Sequence, residues 1–457
     1  MNHLHYFLSI VLCSAVLTPA VAHRTDIESE PMFYLATTLP GSQLIKVVYA
    51  VSPEEQAPVR CYDRTADGQA LWQRVKNEKG KGFYLYNATL KRYLAVKNGV
   101  VVTVSQRKDA TSLFTADDNL NIITTIADNT PPTCKLLTSR NTQIAPSSKH
   151  VMVMEIKADT TTTNYWTLLP STDKERDLIA LSHQQKETYH EVWKEEFNTN
   201  GPFNTLDWNA ATGFIRNHED QWYQPENAWV ADGCLIIEGR KTERPNPLYE
   251  AGSDNWRKNR PMIHYTSACL DTRGKHEWLY GRFEIRAKIP TARGSWPAIW
   301  FLGNNDIAGP WPYNGEIDLM EYYPDKQGVG LTRANIAWGS THQYIAHWET
   351  SGEGRPVQEY WCRNDASWVD RFHIWTMIWT PDAIKMYLDN ELTAAVNSER
   401  LINDETPWAK VRRPFQYPLY LLINLALGGD NGGAIDDTAL PIRYLIDYIR
   451  VYQQTEQ

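Results

Sequence analysis

Three carboxylates stand within six residues, Glu316, Asp318 and Glu321, in the stretch Trp311-Pro-Tyr-Asn-Gly-Glu-Ile-Asp-Leu-Met-Glu-Tyr-Tyr323. The residues between them are Ile, Leu and Met, so the segment predicts a strand. Alternation puts Glu316 and Asp318 on one face. Strict alternation would turn Glu321 away and bring Met320 to that face. One extra residue in a β-bulge returns Glu321 to its partners. Like charges on one face repel, and a site that uses them is the economical explanation. Two carboxyls about 5–5.5 Å apart are what a retaining glycosidase needs, one as nucleophile and one as acid/base. A solvated acidic edge strand fits less well, because such edges carry Lys rather than aromatic flanks. A calcium loop also fits less well, because its ligands sit among Gly and Asn turns.

The motif lies in a long β-rich segment. From Val192 to Tyr452, short strand-like runs alternate with Gly, Asn, Asp and Pro turns, as in Cys234-Leu-Ile-Ile-Glu and Leu419-Tyr-Leu-Leu-Ile-Asn-Leu. Many such strands imply two packed antiparallel sheets.

Glu316-Ile-Asp-Leu-Met-Glu321 resembles the active-site motif of glycoside hydrolase family 16, which holds laminarinases, lichenases, agarases and some mucin-active endo-galactosidases. The likeness extends, in order, over about residues 190 to 453. It includes Tyr265-Thr-Ser-Ala, Trp278-Leu-Tyr-Gly-Arg-Phe-Glu-Ile-Arg-Ala-Lys-Ile-Pro290 and Gly294-Ser-Trp-Pro-Ala-Ile-Trp-Phe-Leu-Gly303. Phe372-His-Ile-Trp375, Leu421-Leu-Ile-Asn-Leu-Ala-Leu-Gly-Gly429 and Asp447-Tyr-Ile-Arg-Val-Tyr452 continue it. The resemblance implies a jelly-roll sandwich with a sugar cleft on its concave face. It implies that Glu316 is the nucleophile, that Glu321 is the acid/base, and that Asp318 shares a proton with Glu316 and orients it. Trp296, Trp300 and Trp311 match substrate-contact positions, and Asn227 matches a position that hydrogen-bonds sugar hydroxyls. Trp338 is expected to line the far side of the cleft. Glu196 and Asp447 match a structural calcium site of many relatives, while catalysis itself needs no cofactor.

Two departures bear on the sugar. Cys269 stands where many laminarinases carry Arg after Thr-Ser-Gly or Thr-Ser-Ala. The strand beyond the motif reads Ala334-Asn-Ile-Ala-Trp-Gly-Ser340, without the usual His. The reading is therefore an endo-β-glycosidase of β-1,3- or mixed-linkage glucan. A β-galactan, agar-like or mucin-glycan endo-β-galactosidase is the alternative. A glycan-binding protein without turnover is the reading outside enzymes.

Upstream, residues 1–22 hold an apolar run from Tyr6 to Leu17 and then Ala20-Val21-Ala22, the pattern of a secretory signal cleaved near Ala22. Export to the cell surface, periplasm or medium is expected. The run is too short to span a membrane. Residues 30–170 are β-rich and weakly repetitive. Phe33-Tyr-Leu-Ala, Phe83-Tyr-Leu-Tyr and Cys134-Lys-Leu-Leu open comparable units, closed by Leu71-Trp72, Leu113-Phe114 and Tyr165-Trp166. This resembles a β-trefoil of the ricin-lectin type. The Gln that precedes the closing Trp in that type is replaced by Ala70, Ser112 and Asn164, so the fold is better supported than sugar binding. Residues 171–190 are charged and read as a linker, and residues 191–455 as the catalytic domain.

The net charge of −8 and the lack of a basic stripe argue against a nucleic-acid partner. The 18 Trp and 24 Tyr suit stacking on sugar rings. Loss of Cys13 with the signal leaves Cys61, Cys134, Cys234, Cys269 and Cys362, an odd number without zinc spacing. A polysaccharide substrate and a monomeric enzyme are expected.

Overall fold

The computed structural model describes residues 189–324, 330–350 and 368–454 without a break, and residues 45–116 apart from short gaps. It also describes residues 32–38, 121–125, 136–137, 153–154, 166–172 and 355–356. The signal segment 1–22, most of the linker, Cys134 and Cys362 lie outside the described residues.

From Tyr189 on, the described strands form a sandwich of two sheets, as the alternating pattern predicts. One sheet runs Gln221–Tyr223, Met262–Ser267, Cys234–Pro245, Ile442–Gln454, Gly281–Lys288, His373–Trp379, Ala383–Leu388 and Glu391–Asn397. The other runs Asn209–Ala210, Cys269–Asp271, Leu419–Leu427, Ser295–Gly303, Glu316–Pro324, Gly330–Gly339 and Ala346–Thr350. In Gly281–Lys288, buried and half-buried residues alternate strictly. Phe283, Ile285 and Ala287 face inward while Arg282, Glu284 and Arg286 face out. Leu235, Ile237, Phe283 and Ile449 of the outer sheet share one core with Ile299, Phe301, Ile317 and Ile423 of the cleft sheet.

The acidic strand contains the bulge that its sequence demands. Asp318 pairs with Asn335 and Glu321 with Arg333, so Leu319 and Met320 together oppose Ala334 alone. Both bulged residues are buried in the core, at 2% and 0% exposure. Burying each is worth roughly 1.5–3 kcal/mol. A regular strand would instead aim Glu321 into that core, and an ionised carboxylate without a partner there costs more than either side chain contributes. The apolar pair therefore selects the bulge.

The amino-terminal region forms a ring. Met32–Thr38 pairs with Leu71–Lys76, and that strand with Phe83–Asn87. Phe114–Ala116, Asn121–Thr125 and Trp166–Pro170 follow in turn, and the last returns to Met32–Thr38. Two-stranded hairpins interrupt the ring three times, at residues 45–63, 92–104 and 136–154. The third unit thus starts at Asn121–Thr125, ahead of the expected Cys134. Its first strand, Asn-Ile-Ile-Thr-Thr, lacks the aromatic residue that marks Phe33 and Phe83. Trp72 is fully buried in the ring and its indole N–H donates to the Val48 carbonyl at 2.9 Å. Asn87, the asparagine of the chain's one glycosylation sequon, is fully buried, with its amide donating to three backbone carbonyls.

The ring docks on the hairpin formed by Ala383–Leu388 and Glu391–Asn397. Tyr34, Tyr49 and Tyr62 pack with Leu392 and Ala395 in one apolar cluster. The Tyr62 hydroxyl donates to the Thr393 carbonyl at 2.9 Å, and Lys385 pairs with Asp67 at 2.6 Å. Arg400 pairs with Asp63 of the ring and with Glu349 on a cleft-sheet strand.

Candidate active site

Register places the three carboxylates on the concave face. Leu302 pairs with Glu316, Trp300 with Asp318 and Ala298 with Glu321. Each outer glutamate is gripped by an indole. Trp311 Nε1 donates to Glu316 Oε2 at 2.8 Å, and Trp296 Nε1 donates to Glu321 Oε1 at 2.9 Å. Asn335 Nδ2 donates to the other Glu321 oxygen at 2.5 Å. Asp318 lies between the two glutamates and is nearly fully buried.

Burial dominates the electrostatics. It pushes Glu316 up to about 7, aided by the Glu321 charge and opposed by the Trp311 hydrogen bond and the Arg216 charge. Burial raises Asp318 well above the usual aspartate range, and both glutamates add to it. Burial also raises Glu321, against the pull of Trp296, Arg333 and Asn335. Burial and the two neighbouring glutamates thus favour the protonated form of Asp318. The three groups titrate as one unit, and the cations acting on them, Arg216 on Glu316 and Arg333 on Glu321, lower but do not cancel the upward shift.

Aromatic side chains border this unit. Trp311 and Trp348 lie 6.5 Å apart between ring centroids, and Trp348 is exposed. On the other flank Trp296 meets Tyr323 edge to face at 5.5 Å. Trp348, Tyr323 and Asn335 are site residues that sequence reasoning left out. Asn335 was open to discovery through alternation, since it pairs with Asp318.

The expected substrate contacts divide. Trp296, Trp300 and Trp311 all reach the cleft, although Trp300 is 8% exposed and donates its N–H to Asn424 Oδ1 at 2.8 Å. Asn227 does not reach it. Fully buried in the turn Pro225–Asn227, it donates to the Glu238 carbonyl at 2.6 Å and to Thr266 Oγ1 at 3.2 Å. Trp338 also turns away. Asn335 faces the cleft, so alternation sends Trp338 into the core, where it packs against His347.

The expected calcium residues are likewise committed elsewhere. Glu196 accepts two bonds from Arg450, at 2.7 and 3.0 Å, and Asp447 pairs with Arg286. Each carboxylate is already neutralised by a guanidinium, so this donor set does not fit a hard cation. Among the described residues no group of three or more His, Cys, Asp or Glu side chains is arranged to hold a metal.

Comparison with known proteins gives the family. Residues 250–449 match the model of glycosyl hydrolases family 16. A beta-glucanase of Rhodothermus marinus is 36% identical over 275 residues, spanning 58% of this chain and 85% of that protein. The chain belongs to glycosyl hydrolases family 16. It is a glycoside hydrolase with the family's jelly-roll sandwich. A keratan-sulfate endo-1,4-beta-galactosidase of Sphingobacterium multivorum is 30% identical and is matched over 55% of its length, covering 58% of this chain. A solved structure, from work on endo-acting O-glycanases with which human gut bacteria initiate mucin breakdown, is 31% identical with a TM-score of 0.51. That likeness covers 59% of this chain and 92% of the other. Among the described residues no helix is long and apolar enough to cross a membrane.

Proposed function

We propose that this enzyme cuts internal linkages of a β-1,3- or mixed-linkage glucan with retention of configuration. The observation that carries the reading is the bulged strand, which brings three carboxyls to one face with an indole N–H on each outer glutamate. Glu316 attacks the anomeric carbon while Glu321 gives its proton to the departing glycosidic oxygen. The bond to the leaving sugar breaks as the Glu316 ester forms. Glu321, now ionised, takes a proton from water. The hydroxide so generated displaces Glu316 and returns the enzyme to its first state. Asp318 keeps the shared proton, which leaves Glu316 free to be anionic. No cofactor enters either step. Trp311 and Trp348 form a wall on which sugar rings stack.

The beta-glucanase relative supports glucan as substrate. A β-galactoside is the second reading, favoured by the galactosidase relative and by Cys269 in place of Arg. A binding protein without turnover would gain stability by losing these mutually repelling carboxyls, and it has kept all three. Products of the protein on laminarin, lichenan, agarose and mucin decide among the readings, with Glu316→Gln as control. Oligosaccharides from the first two polymers, released as the β-anomer, are the expected outcome. Products from agarose or mucin alone would move the substrate to β-galactosides, and binding without products would favour the lectin.

The same reading assigns residues 30–170 to a β-trefoil, because the paired strands repeat in three units of four. Residues 191–455 are then the catalytic domain and residues 1–22 an export signal.

A further inference from the structure

The segment between Gly213 and Tyr223 crosses one end of the cleft sheet, tied by bridges between Gly213 and Tyr223 and between Glu219 and Gly428. Arg216 projects from it. Its guanidinium lies 4.8 Å from the Trp300 ring centroid, on the strand that pairs with the acidic strand. Behind it, Nη2 donates to Cys269 Sγ at 3.2 Å and Nε faces Glu219 at 3.6 Å. A thiol is a weak acceptor, and a guanidinium has five N–H donors. The side chain is 24% exposed and Glu219 only 2%. Protein thus engages Nε and Nη2, and Nη1 makes no hydrogen bond among the described residues although the side chain lies against the cleft residue Trp300.

Resting on the assignment of Glu316 as nucleophile, we propose that Arg216 is a sugar-binding cation of the cleft. Laid on Trp300 and braced by Cys269 and Glu219, it offers its remaining N–H groups to adjacent hydroxyl oxygens of the sugar bound beside Glu316. The favoured ligand is a neutral sugar. Glu219 already balances the guanidinium charge, and Glu316, Asp318 and Glu321 would repel a sulfate or carboxylate placed between them and Arg216. Arg216 has a second effect through charge. Burial, Glu321 and Asp318 act on Glu316 from its own strand, and Arg216 is the cation that pulls it back toward the ionised form. On Arg216 itself the facing groups are Glu219, Cys269 and Tyr223.

The test uses the full chain and a substrate that the wild type cleaves. Binding of an unbranched neutral oligosaccharide of that polymer is measured by calorimetry on Glu316→Gln, with and without Arg216→Gln. About tenfold weaker binding is expected, from the loss of charge-assisted hydrogen bonds. Arg216→Lys should restore part of it, since a point charge replaces a planar fork, and it keeps a partner for buried Glu219 should the Gln variant fold poorly. In an otherwise wild-type chain, Arg216→Gln should move the acid limb of kcat/KM to higher pH, because Glu316 then ionises less readily. Binding and acid limb both unchanged in a folded Arg216 variant would overturn the proposal. Tighter binding of a sulfated oligosaccharide than of the neutral one would overturn the choice of ligand. A wild type inactive on all four polymers would instead overturn the glycosidase reading, and this proposal with it.

Discussion

The acidic residues of the outer sheet and those of the cleft triad have opposite partners. On the outer sheet Glu196 is paired with Arg450, Glu284 with Arg282, Asp447 with Arg286, and Glu238 with both Arg240 and Arg443. The Arg450 hydrogen bonds hold Glu196 below the usual carboxylate range. Burial pushes Glu238 up, but its two arginines outweigh burial and hold it low as well. On the cleft sheet Glu316, Asp318 and Glu321 have one another and accept from the neutral donors Trp311, Trp296 and Asn335, and all three are held high although the Arg216 and Arg333 charges pull the glutamates down. The residue type is the same and the surrounding field differs. Outward carboxylates are spent on holding strands together, whereas the cleft triad is kept protonatable, as acid/base chemistry requires.

Removing the cleft carboxylates should therefore cost activity without costing stability. Glu316→Gln and Glu321→Gln should each lower kcat on the cleaved polymer by about a thousandfold or more. Their folded pKa values are raised, so the wild type loses stability as pH rises through those values, and each variant, with one such group fewer, loses less. Melting temperature relative to wild type should thus improve between pH 5 and pH 8. A fall at pH 8 would break the contrast between the sheets.

Asp318→Asn should reduce kcat less than either glutamate change, by roughly 10- to 100-fold, since it acts through Glu316. Its pH profile sharpens the picture. The acid limb should move, because the shared proton is gone, while a purely structural Asp318 would leave that limb in place.

Glu238→Gln is the opposite case. Activity should stay within about twofold, while stability at pH 7 falls by about 1 kcal/mol, a modest figure because both arginines reach solvent. The folded pKa is lowered, so this contribution exists above the unfolded glutamate value and vanishes as pH falls through the folded one. A denaturant series at pH 7 and pH 3 measures it.

The smallest effect concerns Glu196 and Asp447. With both carboxylates held by arginines, chelator or added calcium should shift the melting temperature by no more than about one degree. A calcium-dependent rise would show that the ion displaces Arg450 or Arg286.

Legibility in the sequence followed the range of the interactions involved. The bulge could be read because its cause is local: Leu319 and Met320 both need the core, and the following carboxylate cannot join them. The cleft-facing tryptophans Trp296 and Trp300 were legible through the family motif, and their even spacing on one strand agrees with a shared face. The start of the third ring unit was not legible because its opening strand, as long as that of the second unit, has no aromatic residue. Asn227 and Trp338 were misjudged for a different reason. A motif match gives residue type, and whether that residue points to the cleft depends on neighbours far away in the chain.

By itself, the sequence determined the all-β sandwich, the bulged acidic strand and the three carboxylates that work on it. Those follow from alternation and from the cost of burying charge, which act between residues a few positions apart. The tertiary structure alone decided which charges neutralise which. Arg216 arrives over Trp300 from 84 positions upstream, Arg450 reaches Glu196 from 254 positions away, and Arg400 joins Asp63 across 337. Electrostatic interactions depend on distance in space and on burial, and neither is written in the order of residues.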